Sequence, residues 1–231
     1  MNQANVEMLE RAAECLGELL EEVVFVGGAT VELWLTDEAA PEFRPTNDVD
    51  VIVEITTRRE YHRFEKRLRT LGLEHDTGSG VICRFKEPGS ELLLDVMPTE
   101  ASILGFENRW QAEAFSHSVS RSLPSGQEIR AIPPPFLLAT KLEAFDSRGE
   151  EDFYGSRDFS DAVALIDGRE ELIAEIAAAP PSLRKYIADR FLDLAQNPRF
   201  ENGVEGALAA GPEARERFEL VVQPRITSLT T

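Results

Sequence analysis

The chain has 231 residues, and its hydrophobic fraction of 42% and charged fraction of 29% are those of a globular protein long enough to bury a core. Its formal net charge of −18 at pH 7 argues against broad, non-specific binding to nucleic acid, which needs a positive surface. The sequence has no apolar run long enough to span a membrane, no signal-peptide pattern at its N-terminus and only two cysteines, so we expect a cytoplasmic protein.

Apolar periodicity and turn residues predict a mixture of helices and strands over residues 1–132. The predicted helices are 5–22, 29–36 and 58–72, and the predicted strands are 23–26, 48–55, 81–87, 91–98, 117–123 and 127–132. Three prolines at 133–135 mark a boundary, after which only helical periodicity is found. We therefore predict an α+β fold, with a mixed sheet flanked by helices in residues 1–132 and a domain of four to six helices in residues 133–231.

Two acids interrupt the most strand-like segment, DVDVIVEI. Successive side chains of a strand point to opposite faces, so Asp48 and Asp50 share one face while Val49 and Val51 share the other. Asp95 is a third acid, flanked by apolar residues in ELLLDVMP, and pairing of the two strands would bring it beside the first two. Three carboxylates on one face repel one another unless cations bind, so this set predicts a site for one or two divalent metal ions.

A glycine pair lies between the first strand and the helix that follows it. Gly27 and Gly28 leave backbone N–H groups accessible at a helix start, an arrangement that attracts phosphate. Thr30 could add a hydroxyl group to the same site. A tight turn without a ligand would use the same residues, so the glycine pair alone is a weak signal.

The combination of these motifs resembles the DNA polymerase β-like nucleotidyltransferase superfamily. The resemblance covers strand–Gly-Gly–helix, then Asp48-Val49-Asp50 on a strand, then a single Asp95 on a later strand. It implies that Gly27 and Gly28 contact the phosphates of a nucleotide and that the three acids bind two Mg²⁺ ions, with Mn²⁺ as an alternative. The interval between Gly28 and Asp48 is long for compact members of this superfamily, and the loop 37–47 accounts for the excess.

Two further stretches resemble the AbiEii-type branch, the abortive-infection nucleotidyltransferase toxins. One is the segment from Arg44 to Asp50, which contains Thr46, and the other is KLEAFDSRGEEDFYGSRDFSD. The resemblance implies that Lys141 contacts the nucleotide phosphates and that Asp158 lies at the active site. It also assigns Thr46 and Arg148 to nucleotide binding, and Asp161 matches a further position of the pattern.

The resemblance implies transfer of an NMP group from an NTP to a hydroxyl, with release of pyrophosphate. Asp48, Asp50, Asp95, Lys141 and Asp158 would be the catalytic residues, with Asp95 positioning or deprotonating the acceptor. The implied acceptor is tRNA, and the implied role is that of a toxin with an antitoxin partner. Apart from this resemblance, the sequence does not identify the acceptor, the base of the NTP, an antitoxin, the oligomeric state or the role of residues 167–231.

Two alternatives remain open from the sequence. The same site could modify a small molecule such as an aminoglycoside, or a protein hydroxyl, and the acidic surface mildly favours a cationic small molecule. The chain could also be a nucleotide-binding module without catalytic activity.

The basic segment 58–69 predicts a solvated helix face with i,i+4 ion pairs to Glu60 and Glu65. A positive groove formed by this segment beside Asp48 and Asp50 would instead favour RNA.

Overall fold

Residues 3–105, 108–148, 152–208 and 212–230 are described by the computed structural model, in which the chain forms two units. The first unit comprises Met1–Leu33 and Arg44–Pro133, and the second comprises Trp34–Phe43 and Pro134–Thr231. The main division thus lies one residue after the predicted one. The segment 34–43, which the predicted boundary places in the first domain, groups with the second unit.

A mixed seven-stranded sheet forms the centre of the first unit. Its strands are β1 (Val23–Val26), β2 (Val49–Val53), β3 (Glu74–His75), β4 (Arg84–Lys86), β5 (Leu93–Pro98), β6 (Val119–Ser122) and β7 (Glu128–Ala131). They are arranged in the order β3-β4-β5-β2-β1-β7-β6. The β2–β5 and β1–β7 pairs are parallel and the other pairs are antiparallel. The predicted α+β class is confirmed, and among the strands of the described residues the short β3 was not expected.

The central strands are buried because apolar side chains cover them on both faces. Val49 and Val51 are fully buried, as expected for the face opposite the acids. Ile52, which shares the face of Asp50, is also fully buried. The acidic face is therefore covered beyond Asp50, and the polar groups are confined to the start of β2.

Five α-helices accompany the sheet in the described part of the first unit. They are α1 (Gln3–Leu16), α2 (Gly28–Val31), α3 (Arg58–Thr70), α4 (Ala101–Leu104) and α5 (Gln111–Ser116). The predicted helix 5–22 ends early, because Gly17 has a φ of 48° and a 3-10 helix follows from Gly17 to Glu22. The predicted helix 29–36 is reduced to the single turn α2.

Helix α3 is fixed against the sheet by specific contacts. Thr57 and Glu60 form a capping box at its start, and the Tyr61 hydroxyl donates to the Val96 carbonyl of β5 over 2.8 Å. Arg67 donates to both carboxylate oxygens of Glu22, over 2.8 and 2.7 Å. The prediction that Glu60 pairs with arginines along this helix is wrong, because its carboxylate accepts hydrogen bonds from the helix start instead.

The second unit is helical, as predicted. It contains α6 (Pro134–Arg148), α7 (Arg157–Gly168), α8 (Leu172–Ala178), α9 (Pro181–Ala195), α10 (Phe200–Ala207), α11 (Pro212–Arg217) and α12 (Gln223–Leu229), with a π-helical segment at Phe218–Val222. The predicted range of four to six is exceeded by one helix in the described residues. None of the helices within the described ranges is long and apolar enough to cross a membrane.

The segment 34–43 is tied to the second unit by polar contacts. The backbone N–H groups of Thr36 and Asp37 donate to the Gly168 carbonyl, over 2.8 and 3.0 Å. Arg217 donates to carboxylate oxygens of both Asp37 and Asp167, each over 2.6 Å. Burial raises the pKa of Asp167, although the nearby Arg217 guanidinium opposes this shift. This ion-paired cluster explains why the insert between the two first-unit segments folds with the helices.

Candidate functional site

Three acids meet at the start of β2. The parallel register pairs Asp50 of β2 with Asp95 of β5, and Asp48 directly precedes β2. The expected pairing of these two strands is therefore confirmed, and it places the Asp95 residue beside Asp50 rather than elsewhere in the sheet. Side-by-side carboxylates on neighbouring strands are a costly arrangement unless positive charge is close to them.

An arginine that sequence reasoning missed supplies positive charge at this place. Arg84 of β4 lies opposite Asp95 in the antiparallel register. Its Nε donates to Asp95 Oδ1 over 2.7 Å, and its Nη2 donates to Asp95 Oδ2 over 2.7 Å. The same Nη2 donates to Asp48 Oδ2 over 2.6 Å. One guanidinium therefore bridges two of the three predicted metal ligands through charge-assisted hydrogen bonds.

The carboxylates stabilise the charged form of Arg84. The hydrogen bonds with Asp95, together with the charges of Asp95, Asp48 and Asp50, raise the pKa of Arg84 above its ordinary value and outweigh the effect of desolvation. A signal for this residue exists in the sequence. In a hairpin closed at Pro88-Gly89-Ser90, an arginine in the apolar strand VICRFKE would come to lie opposite the acid in ELLLDVMP.

The three acids fit a divalent metal by donor chemistry, since Mg²⁺ and Mn²⁺ prefer carboxylate oxygens. As the side chains stand, no three His, Cys, Asp or Glu residues in the described ranges are arranged to hold a metal ion. Arg84 Nη2 lies between Asp48 and Asp95, where a shared ion would be placed, and is thus a stand-in cation. The chemistry of the three carboxylates fits a divalent ion, while in this structure the Arg84 guanidinium binds two of them.

The backbone at Gly27 is shaped to the Asp50 carboxylate. Gly27 has a φ of 77°, a conformation that residues with a Cβ rarely adopt. A Cβ built there would overlap the Asp50 carboxylate and lie 2.7 Å from its Cγ atom. The glycine is therefore required by both the backbone conformation and the neighbouring acid, which links the glycine motif to the acidic motif.

The other residues of the glycine motif have structural contacts. Gly28 begins α2 and is buried. The Thr30 side chain is fully buried, and its hydroxyl donates to the Gly27 carbonyl over 2.9 Å. The structure thus uses the Thr30 hydroxyl to close the turn, and the predicted contact of Thr30 with a nucleotide stays a prediction.

A substitution at Gly27 tests this fit. We expect Gly27→Ala to lower the free energy of unfolding more than Gly89→Ala does, by ~1–3 kcal/mol, because overpacking adds to the backbone strain. Gly89 is a matched control, since its φ is 81° and a Cβ there would have no atom within 4 Å. Urea unfolding of both variants measures the difference. Equal losses in the two variants would show that Asp50 does not restrict position 27.

The loop before β2 is held by Asn5 of α1, a second residue that the motifs did not include. Asn5 is fully buried, and its Nδ2 donates to the Arg44 carbonyl over 3.0 Å. Its Oδ1 accepts from the Thr46 backbone N–H over 2.8 Å. The Thr46 hydroxyl donates to the Asp48 carbonyl over 3.2 Å. These bonds fix the backbone that leads into the first acid, so Thr46 has a structural contact beside its predicted nucleotide-binding role.

The second unit contains the other predicted site residues in one cluster. Lys141 Nζ of α6 lies 3.1 Å from Asp158 Oδ1 and 2.7 Å from Asp161 Oδ2, both on α7. Asp158 and Asp161 are three residues apart and therefore share one face of α7. The Lys141 side chain is only 9% exposed, so its charge is compensated inside the unit. The structure brings Lys141, Asp158 and Asp161 together, while their predicted contact with a nucleotide stays a prediction.

Arg148 completes this cluster from the last turn of α6. Its Nε and Nη2 donate to the two carboxylate oxygens of Asp158, over 2.8 and 3.0 Å. Burial by itself would raise the pKa of Asp158, but the hydrogen bonds from Arg148 and the charge of Lys141 outweigh it, so the pKa is lowered. The Arg148 side chain is 70% exposed, which leaves it accessible to solvent while it is bound to Asp158.

The lowered pKa of Asp158 predicts a dependence of stability on pH. Its contribution is fully present above the unfolded-state pKa of ~3.9 and is lost as pH falls through the lower folded-state value. We expect the difference in free energy of unfolding between wild type and Asp158→Asn to be constant near neutral pH and to shrink below about pH 4. Urea unfolding across that range measures it. A difference that grew on acidification would contradict the lowered pKa.

Comparison with known proteins identifies the fold. No protein-family model and no curated protein sequence matches the chain. An antigenic nucleotidyltransferase-like protein from Paracoccidioides brasiliensis has a similar crystal structure, with 17% identity, a TM-score of 0.50, and coverage of 89% of this chain and 94% of that chain. The solution structure of the antibiotic-resistance factor ANT(2'')-Ia is also similar, with 15% identity, a TM-score of 0.51, and coverage of 85% and 97%. The chain therefore has the α+β fold of nucleotidyltransferase-like proteins.

Proposed function

We propose that this protein is a metal-dependent nucleotidyltransferase, which transfers an NMP group from an NTP to a hydroxyl group and releases pyrophosphate. The observation that carries the proposal is the register of Asp50 with Asp95 on parallel strands, with Asp48 adjacent and the Gly27 turn against Asp50. Phosphoryl transfer requires carboxylates that bind metal ions and backbone N–H groups that bind phosphate. The neighbouring acids and the adjacent glycine turn could provide both.

The residues of the first unit have different roles in the proposed reaction. Asp48, Asp50 and Asp95 would hold Mg²⁺ or Mn²⁺, which when bound neutralises phosphate charge and activates an attacking hydroxyl. The backbone at Gly27 and Gly28 would bind phosphate oxygens. Asp95 would also orient the acceptor hydroxyl and accept its proton, because a carboxylate within hydrogen-bond reach can act as a general base.

The proposal also keeps the predicted roles of Lys141, Arg148 and Asp158. Lys141 and Arg148 provide positive charge for nucleotide phosphates, and Asp158 orients both cations through its two carboxylate oxygens. A phosphate that bound Lys141 would compete with Asp158 and Asp161 for the ammonium group. Substitutions of Lys141 and Arg148 are therefore expected to change NTP affinity as well as the rate of transfer.

The acceptor is best supported as a cationic small molecule rather than RNA. One of the arginines of α3 is compensated within the first unit, because Arg67 binds Glu22 and also contacts Glu18. Arg63 and Arg67 line a cavity at the C-terminal end of β2. Asp48 and Asp50 lie at the opposite, N-terminal end of this strand. Together with the net charge of −18, this placement favours a positively charged acceptor.

The test is incubation of the protein with each labelled NTP, Mg²⁺ and a cell extract, with Asp50→Ala as the inactive control. A parallel set replaces the extract with aminoglycosides. We expect label on a small, nuclease-resistant product and no label after chelation of the metal. Nuclease-sensitive label of tRNA size would support the toxin role with its antitoxin partner, and label on protein would support a protein hydroxyl.

NTP binding without transfer to any of these acceptors would instead indicate a nucleotide-binding module. Retention of transfer by Asp50→Ala would remove the acids from the mechanism. These outcomes separate the proposed reaction, its acceptor and the alternative without catalysis in one set of reactions.

A further inference from the structure

Arg84 lies where the proposed function needs a metal ion. Its Nη2 is 2.6 Å from Asp48 Oδ2 and 2.7 Å from Asp95 Oδ2, so a single nitrogen fills the gap between the two carboxylates. A Mg²⁺ ion held by both Asp48 and Asp95 would have to lie between the same two carboxylates, because it binds carboxylate oxygens directly. A guanidinium nitrogen and a divalent cation exclude each other from that gap, through both steric overlap and charge repulsion.

The contacts of Arg84 are those of a built counter-ion rather than of a passing surface pair. The Arg84 side chain is 15% exposed and the Asp95 side chain 10%, so both charges are largely removed from water. Nε and Nη2 bind Asp95 in a bidentate fork, the geometry in which an arginine pairs most strongly with a carboxylate. Without a cation, Asp48, Asp50 and Asp95 would repel one another at the start of β2.

The bridge formed by Arg84 lies near the outside of the sheet and is partly accessible to solvent. It lies on β4, a strand of three residues whose outer neighbour β3 has only two. The Asp48 side chain is 33% exposed, so the bridge between the two acids is accessible from solvent on the Asp48 side. A long, flexible arginine side chain can rotate toward water without moving the strand that carries it.

We propose that Arg84 is a resident counter-ion that competes with divalent metal ions for Asp48 and Asp95, so that metal binding displaces its guanidinium. The inference rests on the proposed function, because it assumes that these acids are metal ligands. Arg84 is then a positioning residue: it keeps the carboxylates in place before the metal binds and lowers the affinity for free metal ions.

The first experiment measures binding of Mn²⁺ alone to the full chain by calorimetry or electron paramagnetic resonance. We expect Arg84→Met to bind Mn²⁺ about tenfold more tightly than wild type, because the competing charge is gone. Arg67→Met is the matched control, since it removes a guanidinium from two carboxylates elsewhere in the same unit, those of Glu18 and Glu22. The control should bind Mn²⁺ as wild type does. The double variant Arg84→Met/Asp48→Asn should lose this increase in Mn²⁺ affinity. That loss would show that the additional affinity arises at the Asp48 carboxylate.

A second measurement uses wild-type protein, in case Arg84→Met fails to fold. The Nε–H of Arg84 donates to Asp95 and should give a distinct signal in ¹⁵N NMR, assigned by its absence in Arg84→Lys. Saturating Mg²⁺ should shift this signal or abolish it by rapid exchange with water. A signal unchanged when Mg²⁺ is bound, or Mn²⁺ affinity equal or weaker in Arg84→Met, overturns the proposal. If wild-type protein still transfers NMP when one of these results is obtained, the proposed function stands. Only the proposed competition between Arg84 and the metal ion is then refuted.

Discussion

Asp50→Asn is expected to reduce NMP transfer by about 10³-fold or more, equivalent to ~4 kcal/mol of transition-state stabilisation. Asparagine keeps the shape of the side chain against Gly27 but removes the anionic oxygen that a metal ion requires. The same change removes one of three neighbouring negative charges, so the fold should not be weakened. We expect the Tm to fall by no more than ~2 °C, which for a chain of this size corresponds to under ~1 kcal/mol.

Glu54→Gln is the matched control for this variant. Glu54 is an exposed acid directly after β2, at the opposite end of the strand from Asp48 and Asp50. Its substitution changes the net charge by the same amount without touching the proposed site, and transfer should remain at the wild-type rate. The measurement is the initial rate of pyrophosphate release with the acceptor identified from the labelled product. Full activity in Asp50→Asn would contradict the assignment of the acids as metal ligands.

Lys141→Met is expected to destabilise the protein by ~3–5 kcal/mol, the loss typical when one member of a buried ion-paired set is removed. Asp158 and Asp161 are 6% and 0% exposed, so removal of the ammonium that lies between them leaves two buried carboxyl groups without this partner. Because Arg148 still binds Asp158, we expect most of the lost stability to come from Asp161. Urea unfolding at neutral pH measures the effect.

Lys185→Met is the control for the removal of a lysine. Lys185 pairs with Asp189 on the surface of the same unit, with side chains 76% and 55% exposed, and such pairs contribute only ~0.5 kcal/mol. Adding Asp161→Asn to Lys141→Met should recover part of the lost stability, because the uncompensated charge is then gone. If Lys141→Met were as stable as Lys185→Met, the buried cluster would not contribute to stability in the way its geometry indicates.

The strands of the first unit could be predicted from the sequence because their signals are local. Val23–Val26 and Val49–Val53 combine β-branched residues with nearby turn residues, and the structure confirms both strands. Helix ends were less predictable. Leu16 ends α1 inside an apolar pattern that continues to Leu20, because Gly17 adopts a positive φ that periodicity does not detect.

The site was only partly predictable for a different reason. The acids Asp48, Asp50 and Asp95 are conspicuous in apolar strands, so their alignment could be inferred once the two strands were assumed to pair. Arg84 was missed because its importance lies in a cross-strand contact, 11 residues from Asp95 and 36 from Asp48. Periodicity describes which face a side chain occupies and does not identify its partner on another strand.

The sequence by itself determined the α+β class and the acids at the start of the central strand, because burial patterns and turn residues act over a few neighbouring positions. Only the tertiary structure decided that Arg84 bridges Asp48 and Asp95. It also decided that Asp37 folds with the second unit, through an arginine 180 residues away. Both contacts join charged residues that are far apart in the sequence. A buried charge requires an oppositely charged partner, and only the folded chain determines which distant residue provides it.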